Sequence, residues 1–467
     1  MSVVDHPCVS SAPLARRIRS VRWGPARGLC VGCVGLLLSL HAVAQRTDAP
    51  VSPQESDTGL LQHWPSEQAR ETVLQALVKD IVQTHPLVQA RRQTGQVAAV
   101  GVDVARLQYW PSLTLQSNPF KEGRYADTTV PQYGVNVTQP LWTAGRLSAG
   151  LSAAESRLRS SGLAVLEAQY TLATRVVDLY QGVLGSHLRQ AAMARNVSLL
   201  HELNDMVKRR IEREISPRTD GDVVSVRLAQ ARNDLVAEQS AERTLLSQLS
   251  TLAGKTVVIP RRNELTLWSL DVSPQRESVL LEQTKATHVV LRRYSEDIEA
   301  AMADILQQRA AAWPTVSLQV QRNSYTTSGY LPATTAFLSL QYQPGAGLSS
   351  LVQAQAAVAR ADALRNERDS VERDILQSLL TEMQRARVAS DRLQDALYSA
   401  QASSQIMAST RRLFLAGRRG WLDVVNIARD LVSAELAVAD IAAALEVADY
   451  RLRLLSGDFS WQRQDPS

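Results

Sequence analysis

The sequence predicts a mainly α-helical chain with a small β part, built as an internal duplication. Three observations carry this. Landmarks recur 203 residues apart: Trp110, Pro111, Ser112, Leu113, Thr114, Leu115 and Gln116 return as Trp313, Pro314, Thr315, Val316, Ser317, Leu318 and Gln319. Thr84 and His85 return as Thr287 and His288, and Leu252 and Gly254 as Leu455 and Gly457. One offset shared by separate landmarks marks a repeat used twice. Long stretches show apolar residues every three or four positions, the helical period. Four short segments instead alternate with period two, as strands do.

The helices come first in each repeat. From about Ser66, Val73, Leu74, Leu77, Val78, Ile81 and Val82 share one face. His85 and Pro86 interrupt that helix, and a second runs from about Leu87 to Gln108, ahead of Pro111. Leu113 and Leu115 then face away from Ser112, Thr114 and Gln116, and Val135 and Val137 face away from Gly134, Asn136 and Thr138. A polar tip with Asn118, Pro119, Gly123 and Pro131 joins these two strands. In the second repeat Val316, Leu318 and Val320 alternate with polar residues, as do Leu338, Leu340 and Tyr342. Pro140 and Pro344 end the strand pairs, a place suited to helix starts.

Each strand pair is followed by a helical hairpin. From about Leu141 to Arg213 the chain is proline-free, enough for a helix of roughly 100 Å at about 1.5 Å per residue. Ser216 and Pro217 break it, and a further helix reaches Leu252, with Gly254 as its stop. The second repeat runs from about Leu348 to Leu415, turns at Gly417 and Gly420, and continues from Trp421 to Leu455. The repeats therefore span 66–262 and 263–457, with strands near 112–139 and 315–343, tips near 215–222 and 415–423, and a tail at 458–467.

The N-terminus reads as a secretory signal peptide. Arg16, Arg17, Arg19, Arg22 and Arg27 precede an apolar run from Leu29 to Leu40, and Ala42, Val43 and Ala44 offer cleavage after residue 44. Residues 45–65 are a polar leader expected to be disordered. Cys8, Cys30 and Cys33 all precede the cut, so the processed chain has no thiol for a disulfide, metal site or nucleophile. Most of the +5 formal charge is removed with that segment, and a near-neutral remainder gives no footprint for nucleic acid. Gly254, Lys255 and Thr256 resemble the end of a phosphate-binding loop, but Leu249 stands where that loop needs glycine. The histidines form no zinc-protease pattern, and no serine elbow occurs. No cofactor and no enzymatic activity are expected.

Beyond residue 44 no stretch offers about twenty apolar residues, so a helical membrane span is not expected. A closed barrel of strands is the other way across a bilayer. Eleven of the 23 aromatic residues cluster in 109–142 and 313–342, as interfacial girdles do. Four strands cannot close a barrel, so the barrel reading requires neighbouring copies. Alternation alone also permits a small open sheet in a periplasmic coiled-coil scaffold.

The strand entries at Trp110 and Trp313, the segment Gln139, Pro140, Leu141, Trp142 with Gly145, and the duplication resemble the TolC-like outer-membrane efflux and secretion family. The resemblance runs from about Ser66 to Gly457. It implies a homotrimer with a twelve-stranded transmembrane β-barrel continuous with a periplasmic α-barrel. It also implies a periplasmic adaptor and an inner-membrane transporter as partners, beside outer-membrane lipid. The segment Leu415–Val424 is similar to the family's tip turn. By that match Gly417 starts the turn, Arg419 is a gating base, and Asp423 is a pore-facing carboxylate; Asn426 stands where some members have a second aspartate. In the first tip Asp222 and Val223 fit the same pattern, Pro217 replaces glycine, and Asp220 is expected to cap the helix. Gly420, Pro217 and Asp222 are candidate adaptor contacts. The function implied is a passive export duct. The absence of a lipid anchor and the segment Trp421–Asn426 point to type I protein secretion through an ATP-driven exporter, with multidrug or metal efflux as the alternative.

Overall fold

Two repeats of one plan follow each other in the computed structural model, which describes residues 67–121, 129–261, 273–324, 334–343, 345–346, 349–459 and 461. The expected signal peptide and leader, Gly123 and Pro344 lie outside the described residues. The first repeat contains α1 (Glu67–Thr84), α2 (Pro86–Leu107), β1 (Ser112–Lys121), β2 (Thr129–Trp142), α3 (Arg146–Glu212) and α4 (Arg218–Ala253). The second contains α5 (Pro274–Thr287), α6 (Val289–Ala310), β3 (Thr315–Ser324), β4 (Thr334–Gln341), α7 (Ser349–Leu415) and α8 (Trp421–Leu455). The 203-residue offset carries α2, β1 and α3 onto α6, β3 and α7 residue for residue.

The elements form three tiers. The strands make one antiparallel sheet in the order β1-β2-β3-β4. Below it the helices pack in the order α2-α3-α6-α7. Further along, α3 packs between α4 and α8, and α8 packs on α7. The helices α3 and α7, each 67 residues long, thus run through both helical tiers. Where α8 crosses α3, Leu188 meets Ala439, Ala442 and Ala443.

The main core joins both repeats. Val78, Ile81 and Val82 of α1 pack with Val176, Val177 and Val183 of α3, Leu249 of α4 and Val447 of α8. Phe459 is buried in the same core, so the expected tail is packed at least to Trp461, whose indole N–H donates to Gln169 at 3.1 Å. His85 and His288 end one helix and start the next. Each ring Nδ1 accepts a backbone N–H two residues on, Leu87 at 3.1 Å and Val290 at 3.3 Å. Gly254 and Gly457 leave their helices with φ of +67° and +78°, the left-handed stop expected of glycine.

Several sequence expectations need correction. Asn118, Pro119 and Pro131 belong to strands, with Pro119 opposite Pro131. Pairing proline with proline removes donors from both sides of the ladder at one position. Pro140 does not end β2. The strand runs to Trp142 with a register shift between Pro140 and Trp142. A missing N–H there makes the ladder slip instead of stopping it. Consequently α3 begins at Arg146, after Ala144 and Gly145 with φ of +50° and +86°. Tyr342 lies just beyond β4.

Candidate functional site

The two helix–helix turns share one backbone design. At the first, Ile215 N–H donates to the carbonyl of Arg210 at 2.9 Å, and Glu214 has φ of +59°. At the second, Arg418 N–H donates to Leu413 at 2.9 Å, and Gly417 has φ of +72°. This is the six-to-one closure in which a left-handed residue reverses the chain and satisfies a helix-end carbonyl. Gly417 therefore uses its freedom. Gly420 does not: it precedes α8 in an extended conformation, φ −76°, as Pro217 precedes α4 at φ −68°.

The carboxylates fall as follows. Asp423 is the third residue of α8, half-buried, and its Oδ2 lies 3.5 Å from Arg419 of the same hairpin. The third residue of α4 is Asp220. Asp220 is not the helix cap, because α4 starts at Arg218 after Pro217. It sits in the first turn, where an acid favours the helix dipole. Asp222 is exposed, and the 203-residue offset places it opposite buried Val425. Asp220, not Asp222, is thus the counterpart of Asp423. The motif match to Asp222 and Val223 was out of register by two residues.

Asn426 lies one helical turn past Asp423 and is exposed. With Arg429 of α8, Asn196 of α3, and Arg227, Gln230 and Asp234 of α4, it lines a cleft of about 200 Å3 whose walls are polar and apolar in similar measure. The structure brings Asn426 and Arg429 together with α4, but it does not bring Arg419 across to the first hairpin.

Sequence reading missed what holds the tips. Leu203 and Val207 of α3, Val224 of α4, Phe414 of α7, and Trp421 and Val424 of α8 form a shared apolar cluster. The Phe414 and Trp421 rings meet edge to face at 5.7 Å. Arg210 of α3 lies over the Phe414 ring, 4.7 Å from its centre, and donates to the Phe414 carbonyl at 3.3 Å and to Ser216 Oγ at 3.2 Å. The signal for it was present: the repeat has Leu413 where Arg210 stands.

Higher on α3, buried His187 meets Glu242 of α4 at 2.9 Å. Burial alone would raise the Glu242 carboxyl, but hydrogen bonds from Gln190 and His187 and the charge of Arg261 hold it below its ordinary range. Arg189 bridges Glu238 of α4 and Asp440 of α8, tying three helices. Among the described residues no group of three or more His, Cys, Asp or Glu side chains could hold a metal, and no helix is long and apolar enough to cross a membrane.

Comparison with known proteins agrees with this architecture. The family described as outer membrane efflux protein matches residues 66–255. Outer membrane efflux protein BepC of Brucella suis biovar 1 is 23% identical over 412 residues, covering 83% of this chain and 85% of that protein. The outer-membrane channel OprN superposes with a TM-score of 0.74 at 18% identity, over 84% of this chain and 91% of that one. The outer membrane protein VceC of Vibrio cholerae gives 0.73 at 15% identity, over 84% and 99%. Residues 66–255 thus match the outer membrane efflux protein family, and over 84% of its length the chain has the fold of TolC-like outer-membrane channels.

Proposed function

We propose that three copies of this chain close into one passive duct, a β-barrel in the outer membrane continuous with a helical tunnel, through which an inner-membrane transporter and its adaptor export cargo. The observation that carries this reading is that every tier has the same two open edges. The unpaired edges are β1 and β4 in the sheet, α2 and α7 in the upper helical tier, and α4 and α7 in the lower one. Inside the chain the repeats already join through β2 with β3, α3 with α6, and α3 with α8. By the repeat offset, each open pair is the counterpart of one of these joints. A neighbouring copy that repeats the internal joint fills all three edges at once, and a head-to-tail contact of this kind generates a ring.

The exposed residues fit that template. On α6, Ala300 and Ala303 are 5% and 6% exposed; their counterparts on α2, Val97 and Val100, are 71% and 60% exposed. On α3, Ala149, Ala153, Ser156 and Ser160 are buried at the level of α6, whereas their counterparts Val352, Ala356, Ala359 and Ala363 on α7 are exposed. On α8 Ala439 is buried, and its counterpart Val236 on α4 is exposed. An apolar stripe of this extent on a single chain marks a protein interface.

The double substitution Val97→Asp and Val100→Asp is expected to convert a trimer in detergent into monomers, read by mass from light scattering. A wild-type chain that is monomeric after extraction from the outer membrane would end the duct reading. Asp423 is proposed to face the pore near its narrow end, where three symmetry-related carboxylates attract cations. Asp423→Ala should then lower cation over anion preference in planar bilayers; unchanged selectivity would remove Asp423 from the pore lining. Asn426 in the next turn leaves that constriction with a single ring of charge at these two positions, and Gly420, Pro217 and Asp222 are proposed adaptor contacts.

Two cargo classes fit such a duct. The likeness to an efflux protein, BepC, favours small-molecule efflux. Type I protein secretion is the reading supported by the segment Trp421–Asn426. Deletion of the gene separates them: raised sensitivity to dyes and antibiotics supports efflux, and loss of a secreted protein from the medium supports secretion.

A further inference from the structure

We propose that Arg210 is the residue that positions the two helical tips of one protomer against each other, and that its release lets the second hairpin part from the first. The consequence for a pore rests on the duct reading; the contact does not. Arg210 occupies the last turn of α3, and its guanidinium makes three contacts at once. It donates to Ser216 in its own turn, donates to the Phe414 carbonyl in the last turn of α7, and lies over the Phe414 ring, 4.7 Å from its centre. The carbonyl belongs to the helix end and also accepts the Gly417 N–H at 3.0 Å, so Arg210 fills its second acceptor position at the turn. A planar guanidinium can serve ring and carbonyl together, which an ammonium cannot.

Competing ties are weaker or misplaced. Arg419 and Asp423 are four residues apart in one hairpin, so their contact cannot join two hairpins. Arg411 reaches Glu202 of α3 at 2.9 Å, but both side chains are about half exposed, and such pairs contribute little. Duplication gives no second copy of the latch either. Leu413 stands in place of Arg210, and Ile211 in place of Phe414. Among the described residues Arg210 is thus the cation directed from the first hairpin onto an aromatic of the second.

The test uses the full-length protein in planar bilayers, with hydrogen exchange of amides 413–421 measured on the same preparations. Arg210→Leu installs the residue that the second repeat already accommodates. It should raise resting conductance and speed exchange at 414–418 by about tenfold, through loss of the cation–π contact and both hydrogen bonds. Arg210→Lys should fall between Leu and wild type, and Ser216→Ala should give a smaller increase. The exposed neighbour Lys208→Ala controls for loss of charge. Wild-type exchange and conductance in Arg210→Leu would overturn the proposal, as would a larger effect from Arg419→Ala. If Arg210→Leu does not assemble, Arg210→Lys decides by the same two readings. A wild-type protein without conductance would defeat the duct reading, while the exchange rates would still decide the latch.

Discussion

The first hairpin turns through Glu214 and the second through Gly417, yet both close with the same backbone hydrogen bonds. Around that shared turn the side chains have diverged. The first tip supplies Arg210 and exposed Arg218; the second supplies Leu413 and buried Trp421 at the same offsets. Gly221 in the first corresponds to Val424, fully buried, in the second. The backbone geometry of a duplicated turn is thus separable from its packing. One tip has become the apolar anchor and the other the polar hand that grips it.

The sharpest way to break this comparison is at the anchor. Trp421→Ala should destabilise the second tip by about 3–5 kcal/mol, the cost of emptying a core aromatic site, whereas Arg218→Ala should stay within about 0.5 kcal/mol. Proteolysis near residues 416–420 and thermal melting would register the asymmetry. Equal losses would show that the tips are packed alike.

The paired histidine joints give the next effect. His288 is buried, 1% exposed, with its ring edge-on to Tyr170 at 5.2 Å; its partner in the repeat, His85, is more open. Burial depresses the His288 pKa to about 4. In the unfolded chain the imidazole binds its proton near pH 6.5, so stability is complete above that value and falls as pH drops towards about 4. The loss amounts to about 3 kcal/mol. His288→Asn, which keeps an acceptor for the Val290 N–H, should flatten this part of the pH profile by urea denaturation. An unaltered profile would place the titrating group elsewhere.

Smaller effects come from the turns themselves. A non-glycine residue pays for a left-handed backbone, so Glu214→Gly should stabilise by about 0.5–1 kcal/mol and Gly417→Ala should cost about 1 kcal/mol. Denaturant midpoints of the two variants should move in opposite directions. Shifts of the same sign would mean that the two φ angles are not under comparable strain.

Legibility in the sequence followed the range of the forces involved. The limits of α8, Trp421 to Leu455, were readable because a glycine, a long apolar period and a second glycine bracket them locally. The turn at Gly417 was readable for the same reason. Pro140 misled because its missing N–H is compatible with either a helix start or a slipped strand, and only the partner β3 decides. Asp222 misled because the Asp-Val pair fits the motif locally, whereas the 203-residue offset pairs Asp423 with Asp220. Arg210 was invisible because its partners lie about two hundred residues away, although the charge-for-leucine exchange between repeats could have flagged it. The open edges were legible only once the order of helices in space was known.

One further consequence follows from the joint between α3 and α6. Inside the chain it is ionic: Arg157 meets Asp304, Arg159 meets Glu296 and Glu299, and Arg293 meets Glu167. At the corresponding positions α2 carries Ala90, Gln93, Gln96 and Gly101, none of them charged. A ring assembled from such chains would alternate seams that carry these ion pairs with seams that lack them. Concentrated salt should therefore loosen every other seam and leave the intervening ones intact, so that a wall of six near-identical staves flexes in three units.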